Sequence, residues 1–279
     1  MAYKNFVLAG IMGWPVAHSR SPQIHNHWIA EHGLLGAYVL LPVQPAHLPD
    51  AVRGLAALGF AGCNVTIPHK VAAMRLMDWV DPLAQMIGAI NTIVVQPDGT
   101  TRGYNNDGPG YLQSLQEARP DWRADTGPAT VLGAGGGARA VVASLVQAGA
   151  PEVRVCNRSF DKAQALAHEL GGSVRAVPWA QRHDALDGAA LLVNTTSQGM
   201  AGQAPMELAL DALPPQALVS DLVYVPLETP LMAAARARGN PVVGGLGMLL
   251  QQARPAFHAW FDVMPEVTPE LRRRIEASL

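Results

Sequence analysis

Residues 129–140 have the sequence ATVLGAGGGARA, and this run sets the architecture of the chain. Four apolar or small residues precede closely spaced glycines and then a small-residue pattern, which is typical of a strand, a tight turn and a helix. Gly133 and Gly135 would allow the turn and let the backbone approach a pyrophosphate, and Ala138 would let helix and strand pack closely. A glycine-rich run alone is equally compatible with a purely structural turn. Here the flanking strand and helix favour dinucleotide binding.

The end of the next predicted strand, residues 152–156, indicates which dinucleotide is bound. A pocket for NAD would have an Asp or Glu near this point to accept a hydrogen bond from the ribose 2′-hydroxyl. The sequence instead continues with Asn157, Arg158 and Ser159, and Lys162 follows one helical turn later. A guanidinium and an ammonium suit a 2′-phosphate, so we expect the cofactor to be NADP(H).

The composition argues against several classes of protein. The 279 residues are enough for two domains, and 49% of them are hydrophobic while 15% are charged. No apolar run approaches the roughly 20 residues of a membrane span, so we expect a soluble chain that does not engage a membrane. The net charge is −2, and no basic cluster lies beside aromatic residues, so no nucleic-acid partner is predicted.

The cysteines and histidines predict neither disulfides nor a metal site. Cys63 and Cys156 lie in apolar strand-like runs, and the N-terminus lacks the pattern of a secretion signal. We therefore expect reduced thiols and a cytoplasmic location. The nine histidines form no HExxH motif and no Cys/His cluster.

Strand and helix patterns alternate along the chain, which predicts an α/β fold with mainly parallel sheets. The predicted strands cover residues 6–11, 37–41, 62–65, 92–96, 101–104, 152–156, 174–177, 190–194, 218–221 and 242–243. The predicted helices cover residues 21–32, 48–58, 70–79, 138–148, 160–170, 229–238 and 249–261. The PDGT turn at 97–100 should make a hairpin of the strands on either side of it.

Polar segments follow several predicted strands, where ligands bind in open α/β sheets. Ser19 and Ser21 alternate before a helix, so both hydroxyls could reach one carboxylate at its N-terminus. The simpler interpretation is that Ser21 caps this helix with Pro22 as its first residue. The run NVTIPHK at 64–70 ends in Lys70, at the start of the next predicted helix.

Lys70 and Asp107 each allow a structural and a chemical interpretation. A lysine in the first turn of a helix opposes the helix dipole, which disfavours its charged form and suits it to proton transfer. A surface lysine with its stem along the helix is the alternative. Asp107, after Asn105 and Asn106, could cap the helix that follows without excluding a second role.

Eight ordered segments of the sequence together resemble the shikimate dehydrogenase family. They are residues 19–22, 64–70, 88–92, 105–108, 133–140, 157–159, 194–200 and 245–252. The resemblance extends over residues 11–260. It implies the reversible NADPH-dependent reduction of 3-dehydroshikimate to shikimate in aromatic amino acid (chorismate) biosynthesis.

The resemblance also implies a role for individual residues. Lys70 and Asp107 would be the catalytic pair and would also touch the substrate. Ser19, Ser21 and Tyr224 would hold the substrate carboxylate, and Thr66, Asn91 and Gln252 its ring oxygens. The NADP(H)-binding residues would be Gly133, Ala134, Gly135, Gly136, Gly137, Ala138, Asn157, Arg158, Ser159 and Lys162, with Thr196, Met200, Gly245 and Met248 toward the nicotinamide.

The implied architecture has two α/β domains. A substrate-binding and catalytic domain would comprise residues 1–106 and 245–279, with the last helices returning to it. Residues 107–244 would form a Rossmann-type NADP domain. The expected partner is a small-molecule substrate, and the chain would be a monomer or a homodimer.

Two positions depart from the family pattern, and three alternatives remain. Asn106 replaces a usual Thr and keeps a hydrogen-bonding side chain, whereas Val225 replaces a common Asn and removes one. Ser21, where relatives acting on quinate have Thr, favours shikimate, but quinate and an aminoshikimate stay open as substrates. A non-catalytic NADP(H)-sensing regulator is the remaining alternative, and the presence of both Lys70 and Asp107 argues against it.

Overall fold

The computed structural model describes residues 6–279, in which the chain forms two units, each with its own six-stranded sheet. One unit contains residues 6–106 and Gln252–Ser278, and the other is Asp107–Gln251. The α/β class predicted from the sequence is confirmed. No helix among residues 6–279 is long and apolar enough to cross a membrane.

The first segment of unit 1 forms a mainly parallel sheet. Its strands are β1 (Val7–Gly13), β2 (Gly36–Pro42), β3 (Phe60–Val65), β4 (Trp79–Val80), β5 (Thr92–Val95) and β6 (Thr101–Tyr104), in the order β2-β1-β3-β5-β6-β4. Its helices are α1 (Ser21–Glu31), α2 (Leu48–Ala57), α3 (Lys70–Met74) and α4 (Pro82–Ile87). β1 is parallel to β2 and β3, whereas β5 is antiparallel to β3 and β6. The hairpin predicted around the PDGT turn is confirmed.

Unit 2 has the strand order of a Rossmann fold. Its strands are β7 (Ala129–Leu132), β8 (Val153–Asn157), β9 (Val174–Pro178), β10 (Leu191–Asn194), β11 (Leu218–Asp221) and β12 (Val242–Val243). Its helices are α5 (Asp107–Ala118), α6 (Gly136–Gln147), α7 (Phe160–Leu170), α8 (Pro230–Ala237) and α9 (Leu246–Gln251). The order β12-β11-β10-β7-β8-β9 is parallel throughout, and the direction of winding reverses between β7 and β10. Ligands bind at such a reversal.

The hydrophobic core of unit 2 lies on both faces of its sheet. Val131 and Leu132 are consecutive in β7, are both fully buried, and belong to two different core clusters. Successive strand residues point to opposite faces, so helices cover this sheet on both sides. The continuous apolar run at the start of the motif is explained by this double burial.

The last two helices return to unit 1, as expected. They are α10 (Ala253–Phe261) and α11 (Pro269–Glu276). Trp260 Nε1 donates to the carbonyl of Ile93 in β5 (3.1 Å), and Trp28 Nε1 in α1 donates to the carbonyl of Glu266 (2.9 Å). These bonds join residues 167 and 238 positions apart in the chain.

Two predicted helices have different bounds in the structure. The helix predicted over 70–79 ends at Met74, because the Asp78 carboxylate accepts bonds from the backbone N–H (2.7 Å) and hydroxyl (2.9 Å) of Thr101 and the chain continues as β4 beside β6. The helix predicted over 249–261 is two helices, α9 and α10. Pro255 lacks the N–H that would bond to the Gln251 carbonyl, so one continuous helix cannot form there.

The second boundary between the units lies at Gln252, seven residues after the predicted position 245. Helix α9 belongs to unit 2 because it packs against α5. A Cβ added at Gly247 would lie 3.0 Å from the Cβ of Ser114, and Gln251 Nε2 donates to Glu117 Oε2 (2.8 Å). Close helix approach therefore keeps Gly245 and Met248 in unit 2.

Candidate active site

The serines at the start of α1 lie beyond the end of β1 in unit 1. The backbone N–H of Ser21 donates to Ser19 Oγ (3.2 Å), and Ser21 is itself buried. The prediction that Ser21 caps α1 is wrong, because Ser21 is the first helical residue and the N-cap, Arg20, makes no side-chain cap bond. Ser19 thus supplies the hydroxyl that turns the chain into the helix, and Ser21 has its side chain in the first turn.

Beneath these serines, the side chains of α1 and β2 form a buried aromatic layer. His25, one helical turn after Ser21, stacks on Tyr38 with ring centroids 4.1 Å apart and an interplanar angle of 1°. Burial lowers the pKa of His25 to about 3 and raises the pKa of Tyr38 well above its usual value. Both groups are therefore neutral at physiological pH, and they place no charge beside Ser21.

Asn64, the penultimate residue of β3, joins this layer to the neighbouring strand. Its Oδ1 accepts from the hydroxyl of Tyr38 (2.6 Å), and its Nδ2 donates to the carbonyl of Asn91 and to Thr92 Oγ1 (both 3.1 Å). All four side chains are buried. The run at 64–70 contains Asn64 but indicates no role for it, because only the fold brings Asn64 to Tyr38.

Asn91 is the centre of the polar network in unit 1. Its Oδ1 accepts from Thr92 Oγ1 (2.8 Å) and from the backbone N–H of Asn106 (2.9 Å). Its Nδ2 donates to Gln252 Oε1 (3.2 Å), which joins two predicted substrate ligands across 161 residues. Asn106 Nδ2 adds a bond to Thr92 Oγ1 (3.0 Å), so the departure from Thr at 106 retains a hydrogen-bonding side chain. The network fixes the positions of the Asn91 and Gln252 side-chain amides.

Thr66 and Lys70 lie on the segment that leaves β3. The N–H of Thr66 donates to the carbonyl of Met12 in β1 (2.9 Å), and the carbonyl of Lys70 accepts from the N–H of Ile90 (3.1 Å). Buried His69 Nε2 donates to the carbonyl of Val43 (2.7 Å). The backbone around Lys70 is thus anchored at three points, and its side chain is half-buried.

Asp107 and Tyr224 belong to unit 2. Asp107 is the first residue of α5 and directly follows Asn106 in the chain. Tyr224 lies in the loop between β11 and α8, two residues after Leu222. Both are half-buried.

A cleft of about 200 Å³ in unit 2 lies at the reversal of strand order. It is lined by Gly133, Ala134, Gly135, Asn157, Arg158, Trp179, Thr195, Thr196, Ser197 and Gln198. The structure therefore brings together the predicted glycine loop, the predicted basic strand end and Thr196. None of the described residues that line this nucleotide cleft is acidic.

The glycines of the loop are needed for different structural reasons. Gly133 has φ +112°, and a Cβ there would lie 2.5 Å from Thr195 Oγ1, so the fold itself requires glycine. A Cβ at Gly135 or Gly136 would meet nothing within 4 Å. These two precede and begin the twelve-residue helix α6. Open space at a helix N-terminus fits a pyrophosphate.

Arg158 lies at the edge of the cleft where β8 ends. Its side chain is exposed, and Asn157 Nδ2 donates to the Ser159 carbonyl (2.8 Å) to shape the turn around it. Lys162 is exposed in the first turn of α7 but does not line the cleft. An arginine without an acidic neighbour in the cleft fits a 2′-phosphate better than a 2′-hydroxyl.

Trp179, Thr195, Ser197 and Gln198 line the cleft but were absent from the predicted set. Trp179 begins a short 3-10 turn after β9, and the Arg182 guanidinium lies 4.9 Å from its ring centroid. The one signal that could have indicated Trp179 is its position directly after β9, the strand that pairs with β8. Met248 and Ala138, by contrast, pack on the core, and Met200 is exposed outside the cleft lining.

Gly245 is required by a close backbone approach. A Cβ there would lie 2.1 Å from the carbonyl oxygen of Leu222, and the Gly245 N–H donates to the carbonyl of Val223 (3.2 Å). The residue therefore fixes the loop that carries Tyr224. Within residues 6–279, no three His, Cys, Asp or Glu side chains are grouped so as to hold a metal ion.

Family models match both halves of the chain. Residues 11–93 match the shikimate dehydrogenase substrate binding domain, and residues 117–205 match shikimate / quinate 5-dehydrogenase. The shikimate dehydrogenase (NADP(+)) of Paramagnetospirillum magneticum is 56% identical over 265 residues, which are 95% of this chain and 96% of that protein.

Solved structures are similar over nearly the whole chain. The shikimate 5-dehydrogenase of Thermus thermophilus, in complex with NADP(H) and shikimate, has a TM-score of 0.87 at 38% identity and covers 98% of this chain and 100% of its own. The quinate dehydrogenase of Corynebacterium glutamicum, in complex with NAD, has a TM-score of 0.90 at 30% identity and covers 98% and 99%.

Proposed function

This chain belongs to the shikimate dehydrogenase family and is an NADP-dependent oxidoreductase, and we propose that the residues described above carry out the reversible reduction of 3-dehydroshikimate to shikimate. The observation that carries the substrate assignment is the hydrogen bond from Asn91 to Gln252. It places two amides, each a donor and an acceptor, side by side. Adjacent ring hydroxyls need partners of this kind.

The substrate carboxylate is assigned to Ser19, Ser21 and Tyr224. Support comes from the position of the serines at the N-terminus of α1, an eleven-residue helix whose first N–H groups favour negative charge. The neutral layer of His25 and Tyr38 beneath them adds no competing anion. Thr66, Asn91 and Gln252 are assigned to the ring oxygens.

Reduction of a ketone needs a hydride on carbon and a proton on oxygen. NADPH, when bound, supplies the hydride. We assign the proton to Lys70, whose ammonium donates it to the carbonyl oxygen as the new C–H bond forms. Asp107 accepts a hydrogen bond from the substrate hydroxyl and orients the ammonium. In the direction of shikimate oxidation, neutral Lys70 accepts the proton.

The nucleotide cleft is assigned to NADP(H). The open space at Gly135 and Gly136 accommodates the pyrophosphate, and Arg158 pairs with the 2′-phosphate. Trp179 lines the same cleft, and its ring is assigned to contact the adenine. Thr196, Met200, Gly245 and Met248 are assigned toward the nicotinamide on the family pattern. Lys162 is assigned as additional positive charge toward the 2′-phosphate. The remaining assigned residues, which shape the loop and the strand end, are Gly133, Ala134, Gly137, Ala138, Asn157 and Ser159.

We further propose that the unit with residues 6–106 and Gln252–Ser278 is the substrate-binding and catalytic domain and that the unit Asp107–Gln251 is the NADP-binding domain. The oligomeric state, a monomer or a homodimer, stays a prediction. The free, buried thiols of Cys63 and Cys156 support work in the reducing cytoplasm.

A comparison of specificity constants tests the proposal. Purified chain is assayed for NADPH formation with shikimate, quinate and an aminoshikimate, each with NADP+ and with NAD+. The highest kcat/KM is expected for shikimate with NADP+. A higher value for quinate or the aminoshikimate would replace the substrate assignment. Tight NADPH binding without turnover of any of the three would instead indicate an NADP(H) sensor.

A further inference from the structure

Asp221 is a fully buried carboxylate that none of the assignments above uses. It ends β11, and three groups donate to it. Asn194 Nδ2 and the N–H of Val223 bond to its Oδ1 (both 3.0 Å), and the Thr229 hydroxyl bonds to its Oδ2 (2.7 Å). Thr229 Oγ1 also accepts from the N–H of Met232 (3.3 Å), so its hydrogen is directed at Asp221.

The first donor, Asn194, shapes the loop that contains Thr196. Asn194 Oδ1 accepts from the N–H (3.0 Å) and the hydroxyl (2.8 Å) of Thr196, while its Nδ2 also donates to the carbonyl of Gln198 (3.1 Å). Thr196 Oγ1 in turn accepts from the N–H of Gln198 (3.1 Å). We call residues 195–200 the cofactor loop.

The other two donors bracket the loop that contains Tyr224. Val223 directly precedes Tyr224, and Thr229 is the N-cap of α8. We call residues 222–229 the tyrosine loop. Two backbone bonds join the tyrosine loop to the two ends of the cofactor loop. Leu222 N–H donates to the carbonyl of Asn194, the last residue of β10, and Ala201 N–H, directly after the cofactor loop, donates to the Val225 carbonyl (both 2.9 Å).

Donors approach both carboxylate oxygens of Asp221, so both oxygens must accept hydrogen bonds. Burial raises the pKa of Asp221, and the bonds from Val223, Thr229 and Asn194 oppose that rise. No Lys, Arg or His of the described residues forms an ion pair with Asp221, so these three donors are its polar partners. An amide at this position would turn an N–H₂ group toward one of them.

We propose that Asp221 is a positioning residue that holds the cofactor loop and the tyrosine loop in one arrangement, so that binding of the nicotinamide cofactor and binding of the substrate carboxylate depend on the same buried group. The inference rests on the proposed function, which assigns Thr196 to the cofactor and Tyr224 to the carboxylate. A displacement of about 1 Å in such a group costs up to ~100-fold in rate.

The test compares four variants. Asp221→Asn removes one acceptor oxygen, Thr229→Val removes the donor to Oδ2, and Thr229→Ser retains that donor. The matched control is Thr130→Val, which removes an equally buried hydroxyl bond, to the carbonyl of Ala185 (2.6 Å), in the centre of the same sheet. For each variant we would measure Tm, the NADPH dissociation constant by fluorescence without substrate, and KM and kcat for shikimate.

Asp221→Asn is expected to raise both the NADPH dissociation constant and the shikimate KM by about tenfold or more. Thr229→Val should raise the shikimate KM, and Thr229→Ser should restore it. Thr130→Val should lower Tm while both constants stay within about twofold. If Asp221→Asn lowers Tm like the control and leaves both constants unchanged, Asp221 is only structural and the inference is overturned.

A failure of the proposed function would be seen separately. Tyr224→Phe with an unchanged shikimate KM would remove Tyr224 from the carboxylate site, yet the NADPH constant would still report on Asp221 through the cofactor loop. If Asp221→Asn does not fold, Thr229→Val and Thr229→Ser decide the outcome, because equal shikimate KM values in the two would contradict the inference.

Discussion

Two glycines only two residues apart should respond to alanine in opposite ways. At Gly133, φ +112° costs an L residue about 1–3 kcal/mol, and the added Cβ would lie 2.5 Å from Thr195 Oγ1. Displacing that hydroxyl also breaks its 2.7 Å bond to the Leu132 carbonyl, worth about 1 kcal/mol. Gly133→Ala should therefore lose roughly 2–4 kcal/mol of unfolding free energy, which lowers Tm by about 4–16 °C.

At Gly135 the backbone is extended (φ −87°, ψ −169°), and a Cβ would meet nothing within 4 Å. Gly135→Ala should change the unfolding free energy by less than about 0.5 kcal/mol. Its methyl group would nevertheless enter the space assigned to the pyrophosphate. Loss of one charged hydrogen bond, worth about 1.5–3 kcal/mol, would raise the NADPH dissociation constant about 10- to 150-fold.

Thermal unfolding and NADPH fluorescence titration of both variants separate these effects. Gly54→Ala in the middle of α2 is the control, since its Cβ would lie 3.9 Å from Leu58 Cδ1. It should gain about 0.5–1 kcal/mol and bind NADPH normally. Wild-type NADPH affinity in Gly135→Ala would refute the phosphate assignment, and a wild-type Tm in Gly133→Ala would refute the reasoning from backbone strain.

Three further predictions concern charge and protons. Arg158→Ala should reduce the ratio of kcat/KM for NADP+ to kcat/KM for NAD+ by about 10- to 100-fold, and Lys162→Ala should reduce it less. An unchanged ratio in Arg158→Ala would show that Arg158 does not bind the 2′-phosphate. Lys70→Ala should lower kcat by a factor of roughly 10²–10⁴ and leave NADPH binding intact. When Asp107→Ala is added to Lys70→Ala, the further fall in kcat should be smaller than the fall caused by Asp107→Ala alone. If the two falls in kcat multiply independently, the two residues do not act as a unit. Because the folded pKa of His25 is about 3 and the unfolded value is near 6.5, the unfolded chain binds the extra proton between these pH values, and stability falls as pH falls through that window. From pH 6.5 to 5 the wild type should lose about 2 kcal/mol more than His25→Phe in urea unfolding, and parallel losses would contradict the burial argument.

The parts of the fold set by local sequence could be predicted. The PDGT turn at 97–100 forms the hairpin because Asp98 Oδ1 accepts from the N–H (3.0 Å) and hydroxyl (2.7 Å) of Thr100, all within three residues. The end of the 70–79 helix could not be predicted, because the Asp78 carboxylate bonds to Thr101, 23 positions away. Helix α4 was missed although its cap, Asp81, and Pro82 are local signals.

The same distinction applies to the site. Arg158 and the glycine loop follow strands whose apolar runs are visible in the sequence, so their place at the sheet edge could be inferred. The roles of Trp179, Asn64 and Asp221 depend on partners that folding brings near, so no local pattern indicates these roles. Met248 is partly buried against the core of unit 2, and its assignment to the cofactor stays a prediction from the family pattern.

The division of unit 1 into two stretches of chain bears on how the protein is made. A ribosome delivers residues 107–251 before residues 253–261, whose Trp260 donates to the Ile93 carbonyl. Unit 2 is one continuous stretch of chain, so its sheet can form during synthesis. Unit 1 is still incomplete at that point, because Ile93 in β5 and Trp28 in α1 lack the hydrogen-bond partners that Trp260 and the Glu266 carbonyl later provide. Unit 2 can therefore fold before unit 1 is complete, and a chain that ends at Gln251 should contain a protease-resistant unit 2 and a protease-sensitive unit 1.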